Sequence, residues 1–596
     1  MKALAAVVLA SVPAVLGAAE APARSIAWQD WSDAAFTRAQ AEKKLVLLDL
    51  GAVWCHWCHV MEETTYKDPN VVELIGRHFI AVRVDQDSRP DLSNRYEDYG
   101  WPATILFDAS GRELVKFAGY IPPPRMISLL QATVEDPTPG PSALAEASSA
   151  AAEAAALPAD LQRELQEILA ARYDKDKGGW GFAKKYLDFD SVEWCLSRAR
   201  SGDSRAERMA RETLDLSRRL IDPVWGGLDQ YSDSGDWDHP HYEKLLQFQA
   251  GGIEAYAQAY ALWRRPEDLA SARAIRRYVR DFLTSPEGAF WVSQDADLHS
   301  GEHSGEYYAL SDATRRKQGV PRVDTSLYAR ETASGAVALL SLYAVTGEPE
   351  ELANAEKAAR WILSERALPG GGFRHGTRDE AGPYLGDTLA AGRAFLALYA
   401  ATGDRAWLAR AEEAAGFIAR TFVVAGAPGV VSAVSKSRFA PARPQRDENV
   451  AAVRFANLLF RYTGKAEHRQ LAMQAMKFLA APDVAKTFST ASVLLADAEL
   501  NSEPVHVTVV GKKSDPRAKA LLVAALAEPS GYKRVESWDP AEGPLPNADV
   551  EFPVLDAPAA FACGGGRCSL PAFDAATLKT RIERLRSASA KVSTPG

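Results

Sequence analysis

Residues 54–59 read Trp54-Cys55-His56-Trp57-Cys58-His59, and two cysteines at this spacing suit thiols that exchange electrons through a local disulfide. If a helix begins at Cys55, its unpaired N–H groups and positive dipole end favour a Cys55 thiolate. That assigns Cys55 as nucleophile. Cys58, one turn on, is the resolving thiol. His56 lies between the sulfurs and His59 four residues after Cys55, so either imidazolium would further stabilise a thiolate. Asp49 sits six positions upstream on an apolar run, where a buried carboxyl could accept and return a proton; the plainer reading is a strand-end Asp facing water. Pro102, in Gly100-Trp101-Pro102-Ala103-Thr104, is the candidate substrate-facing residue through a cis peptide, with a trans turn as the alternative. Trp54 and Trp57 are expected to support the pair by shielding or packing.

The same motif has the spacing of c-type haem attachment, but it follows an apolar strand and has no evident haem pocket. A zinc site built on it crowds four ligands at one helix start and would need Cys563 and Cys568. No cofactor and no metal are therefore expected. Cys563 and Cys568, separated by Gly-Gly-Gly-Arg, form either a structural disulfide or a relay to Cys55–Cys58. Cys195 lies in an apolar helical pattern and reads as an inert core thiol.

The elements that must hold these residues fall into three blocks. Residues 26–134 alternate helix and strand: a helix at 34–42, a buried strand at 43–51, a helix from Cys55, a strand at 79–84, a hairpin at 104–117 and a closing helix at 124–133. An Ala/Pro/Ser/Glu-rich stretch at 135–158 reads as a linker. From 159 to 500 the pattern is helical and repeats: Leu340-Ser341-Leu342-Tyr343-Ala344-Val345-Thr346-Gly347 returns 56 residues later as Leu396 to Gly403. Helix pairs of this size must stack, either as an open solenoid or closed into an α/α toroid, and the Gly-aromatic loops between them favour closure. Residues 501–596 read as a small α/β appendage, with strands at 505–510 and 559–563 and helices at 515–526 and 575–586.

The helical block has its own candidate site. His241 and Glu243 flank a helix start, and Asp295, Asp297 and Glu306 cluster in a loop region; paired carboxylates of this kind serve as acid and base on sugars. The plainer reading is helix caps and loop hydrogen bonds.

A net charge of −9, short Lys/Arg runs and no base-stacking motif argue against nucleic acid and anionic membranes as partners. Lys2, the apolar run 3–16 and Gly17-Ala18-Ala19 predict a cleaved export signal at 1–19, hence a periplasmic or secreted protein with no membrane contact after its removal.

Cys55-His56-Trp57-Cys58-His59-Val60-Met61-Glu62, then Val84-Asp85-Gln86-Asp87-Ser88-Arg89-Pro90-Asp91 and Gly100-Trp101-Pro102, resemble the spermatogenesis-associated protein 20 family. The likeness extends through Pro240-His241-Tyr242-Glu243-Lys244, Ser293 to Asp297, Gly305 to Tyr308 and Cys563 to Pro571. It implies a thioredoxin-like domain joined to a toroid of the six-hairpin glycosidase and sugar-epimerase type, and settles no substrate. Phe248-Gln249, Ala333-Ser334-Gly335 and Asp229-Gln230 depart from the family's usual polar lining, which lowers the case for a sugar-processing site. The expected function is an exported thiol–disulfide oxidoreductase acting on protein thiols or disulfides. The alternatives are a carbohydrate-active toroid enzyme with an accessory thioredoxin domain, or a non-catalytic binding protein.

Overall fold

The computed structural model describes residues 25–96, 100–141 and 154–592; the expected leader at 1–19 and residues 142–153 of the expected linker lie outside this range. The N-terminal block forms one mixed sheet. Strand β1 (Leu45–Gly51) runs parallel to β2 (Phe79–Asp85) and antiparallel to β3 (Ala103–Phe107), which pairs with β4 (Glu113–Ala118), giving the order β2-β1-β3-β4. Helices α1 (Asp33–Glu42), α2 (His56–Glu63), α3 (Pro69–His78), α4 (Pro90–Tyr96) and α5 (Pro123–Glu135) complete it. β1 is apolar on both faces because both are covered: Val46, Leu48 and Leu50 enter one core, while Leu47 enters another with Met61 and Ile75. Each such leucine contributes roughly 1.5–3 kcal/mol by burial. α3 starts where Asp68 accepts hydrogen bonds from Asn70 N (2.9 Å) and Val71 N (3.2 Å), with Pro69 as its first residue.

The helical block closes into a ring. Six inner helices, Phe189–Arg200, Leu246–Trp263, Ala329–Thr346, Leu385–Thr402, Arg446–Thr463 and Thr490–Leu500, pack each on the next and the last on the first. Six outer helices, from Ala159–Ala171 to Ala466–Leu479, back them. The expected α/α toroid is therefore present. Its repeat has a local cause: Gly347, Gly403 and Gly464 end three inner helices at φ 70°, 68° and 69°, a left-handed cap that a β-carbon would strain. The Thr before each of these glycines accepts the next turn's N–H, as Thr346 does from Glu348 N (3.2 Å) and Thr402 from Asp404 N (3.1 Å).

The C-terminal segment carries a strand that the sequence reading missed, Lys533–Trp538, parallel to Val505–Val510. With Ala559–Gly564 and Arg567–Cys568 it forms a sheet whose strand order and directions repeat those of the N-terminal sheet. The two sheets sit at opposite mouths of the toroid. At one mouth, where inner helices begin, Phe36 stacks on Phe439 at 4.1 Å and His375 Nε2 donates to Asp87 O at 2.7 Å. At the other, where they end, Val535 N donates to Tyr462 Oη (2.9 Å) and Lys513 Nζ to Gly403 O (2.6 Å). No described helix is long and apolar enough to cross a membrane.

Candidate functional site

Cys55 is the N-cap of α2, with extended backbone, and Cys58 N donates to its Sγ at 3.1 Å. This places the first sulfur on the helix N-terminus, as the motif requires. Cys55 and Cys58 are joined as a disulfide. Around them pack Ala52, Trp54 and Trp101, and from the toroid Leu245, so that Cys55 is only 3% exposed. The Trp101–Pro102 peptide is cis and leads into β3. Trp54 is buried and donates from Nε1 to Asp87 Oδ2 at 2.8 Å, while Trp57 is partly exposed and stacks on Tyr120.

The expected toroid site is not separate from this pair. Lys244–Leu245 pairs antiparallel with Trp291–Gln294 in the register Lys244↔Gln294, so Glu243 and Asp295 emerge at one end of the same ladder. That end meets the start of α2. His56 Nδ1 lies 2.7 Å from Asp297 Oδ1, and His56 N donates to Glu243 Oε1 at 3.4 Å. His59 Nδ1 lies 3.0 Å from Asp297 Oδ2 and 3.6 Å from Asp295 Oδ1, while its Nε2 donates to Val53 O at 3.0 Å. His241 stacks on Tyr231 and bonds through Nε2 to Asp233 Oδ2 at 3.0 Å.

The plainer expectation, that these acids cap helices, thus holds only for local bonds such as Asp297 N to Asp295 Oδ1 (2.9 Å). Asp297 meets both histidines of the cysteine motif, and Glu243 accepts the backbone N–H of His56. Glu306 is exposed and stands outside the cluster.

Electrostatics follow from the contacts. Burial pushes the Asp297 carboxyl up, but hydrogen bonds from His56 and His59 overcome this and hold it down at about 2. Burial favours neutral His59, yet the bond to Asp297 and the charges of Asp295 and Asp297 raise its pKa. Asp295 is pushed up to about 6, chiefly by burial. Asp49 is also raised by burial, against the Arg83 charge; it accepts from Arg83 Nε (2.9 Å) and Tyr66 Oη (3.1 Å).

Cys563 and Cys568 are bonded to each other at the far mouth. Inner helices of 18 residues separate the mouths, a rise of about 27 Å, so direct relay to Cys55–Cys58 does not occur in this arrangement. Cys195 is buried and its thiol is pushed up to about 12 by burial, as an inert core thiol requires. The departures from the family pattern are structural here. Gln249 braces Leu228 N (2.6 Å) and O (2.8 Å), Asp229 pairs with buried Lys244, and a β-carbon at Gly335 would stand 2.5 Å from the Phe290 ring.

The sequence reading missed Asp87, which holds Trp54, and His303, whose ring lies 5.9 Å from that of His56. Asp87 stood within the Val84-Asp85-Gln86-Asp87 run; His303 had no sequence signal.

The family model Thioredox_DsbH, described as a protein of unknown function (DUF255), matches residues 11–134. Spermatogenesis-associated protein 20 from Homo sapiens is 29% identical over 307 residues, 45% of this chain and 39% of that protein. The rat protein is 28% identical over the same length, so the matches span about two fifths of these relatives. The thiol:disulfide interchange protein DsbD of Cronobacter sakazakii is 34% identical over 124 residues, 17% of this chain and 21% of that protein. Among solved structures, cellobiose 2-epimerase from Bacillus thermoamylovorans is 12% identical, covering 54% of this chain and 86% of that one, with TM-score 0.43. The resemblance read from the motifs is borne out: the chain is homologous to spermatogenesis-associated protein 20 and carries a thioredoxin-like domain of the DUF255 type.

Proposed function

We propose that this chain is a thiol–disulfide oxidoreductase in which the toroid covers and tunes the Cys55–Cys58 pair. The observation that carries the reading is the Cys55 sulfur at the N-terminus of α2, accepting Cys58 N–H, in a domain related to thiol:disulfide interchange proteins. In the reduced state the Cys55 thiolate attacks one sulfur of a client disulfide, and the client's other sulfur leaves as a thiolate. Cys58 thiolate then attacks Cys55, forming the internal disulfide and releasing the client dithiol; two electrons pass to the client. A client dithiol drives the same steps backward on the oxidised pair. Leu245 covers Cys55, so exchange with a protein client requires that contact to open. We also propose export through residues 1–19, and domain limits of 26–134, 159–500 and 501–596.

The test is thiol trapping during a glutathione titration of the full chain. A reversible two-electron transition that disappears in Cys55→Ser supports the reading; a pair locked in one state across the range overturns it.

A second reading, a toroid that binds or processes a carbohydrate, is favoured by a cavity of about 250 Å³ along the ring axis. Glu193, Glu254, Arg393 and Arg454 line it. Burial raises Glu254 to about 7, whereas Glu193, although buried, is held down by Arg454, a split suited to acid and base roles. Sugar turnover lost in Glu254→Gln but kept in Cys55→Ser supports this reading. Turnover by neither protein removes it.

A further inference from the structure

Four ligands crowded on one helix start do not make a tetrahedral site. The fold offers a different set, brought together from two domains. One ligand atom each from His59, Asp295 and Asp297 lies within 4.8 Å of the others. His59 Nδ1 stands 3.0 Å from Asp297 Oδ2 and 3.6 Å from Asp295 Oδ1. Ligand atoms at a tetrahedral centre with bonds of ~2.0–2.1 Å are about 3.3 Å apart, so these separations bracket the value a bound ion needs.

Two independent features point the same way. Val53 O can only accept, so His59 Nε2 carries a proton and Nδ1 is the ring nitrogen that faces the carboxylates; without an ion Nδ1 donates a second proton to Asp297 Oδ2, and a bound metal would displace that proton. A second-sphere carbonyl that fixes the tautomer in this way is the common setting of a metal-bound histidine. His56 meets Asp297 through the other carboxylate oxygen, Oδ1, while Oδ2 faces His59 and also accepts Gly301 N (2.9 Å). The second feature is Glu243: it is 3% exposed, holds His56 N through Oε1, and leaves Oε2 buried without a hydrogen-bond partner. His56 and His59 already pair with Asp297, and His241 Nδ1 lies 3.7 Å from Glu243 Oε1, so the orphaned Oε2 is the buried oxygen whose cost a bound cation would relieve.

We propose that His59, Asp295 and Asp297 form a site for a divalent first-row transition metal of the Zn2+ class, at the junction of the thioredoxin-like domain and the toroid. One imidazole nitrogen and two carboxylate oxygens suit Zn2+, Mn2+ or Fe2+. Three protein ligands leave a coordination position open, with Glu243 beside it. The proposal does not depend on the cysteines cycling.

The test uses Co2+ alone as a spectroscopic probe, titrated into full-length protein stripped with a chelator. One equivalent should bind with visible d–d bands. Asp295→Asn and Glu243→Gln are compared with a Cys55→Ser/Cys58→Ser double variant, and apo-protein melting curves verify that each is folded. Asp295→Asn is expected to weaken binding at least tenfold and to abolish the Zn2+-induced rise in melting temperature. The cysteine double variant should bind as the wild type does. Absence of one-equivalent binding, binding untouched by Asp295→Asn, or binding lost with the cysteines would each overturn the site. Loss in Glu243→Gln as well would add Glu243 as a fourth ligand.

Discussion

Asp49 is a carboxylate buried at 7% exposure beneath α2, and its two bonds go to Arg83 and Tyr66. Arg83 keeps a second partner in Glu62, so removing Asp49 does not strand it. We expect Asp49→Asn to lower the unfolding free energy by roughly 1–3 kcal/mol in a denaturant titration. If Asp49 relays the proton of Cys58, the variant also exchanges thiols severalfold more slowly at pH 7; an unchanged rate confines Asp49 to structure. The chemistry of residues 54–59 was legible because residue types and spacing alone define it. The partners of His56 and His59 were not, since Asp297 lies 241 and 238 positions away and nothing local encodes that contact. Register decides it: Lys244 opposite Gln294 delivers Glu243 and Asp295 to the same edge.

Among elements, the long periodic helices were readable because each inner helix must bury all sides and each outer helix one. Lys533–Trp538 was missed because its polar, charged sequence Lys-Arg-Val-Glu-Ser-Trp hides a strand buried by pairing and by Arg534–Glu536 contacts. The junction between elements is pH-sensitive at Glu448, on the inner helix Arg446–Thr463, whose two carboxylate oxygens are buried without a hydrogen-bond partner. Burial pushes its pKa up to about 8 from 4.5, against the Arg330 charge. A carboxyl whose folded pKa is raised stabilises the fold below its unfolded pKa, and that contribution is lost as pH climbs through the folded value. The melting temperature of the wild type should therefore fall relative to Glu448→Gln between pH 5 and pH 9, by about 2 °C or more. Parallel curves would contradict the assignment.

At the scale of the whole molecule, the toroid is a spacer between two sheets of like topology, only one of which carries cysteines at a helix start. The far pair, Cys563–Cys568, should be redox-silent toward the near one: Cys563→Ser is expected to leave the Cys55–Cys58 midpoint unchanged in the glutathione titration. The near mouth is different, because toroid carboxylates touch both histidines of the motif. We propose that disulfide and toroid form one site. The Cys55–Cys58 midpoint potential of Asp297→Asn tests this union, measured beside the wild type with exposed Glu306→Gln as control. The midpoint should be displaced by at least about 15 mV, since 30 mV corresponds to about 1.4 kcal/mol, with Glu306→Gln unmoved. A midpoint in Asp297→Asn that superimposes on the wild type would contradict it.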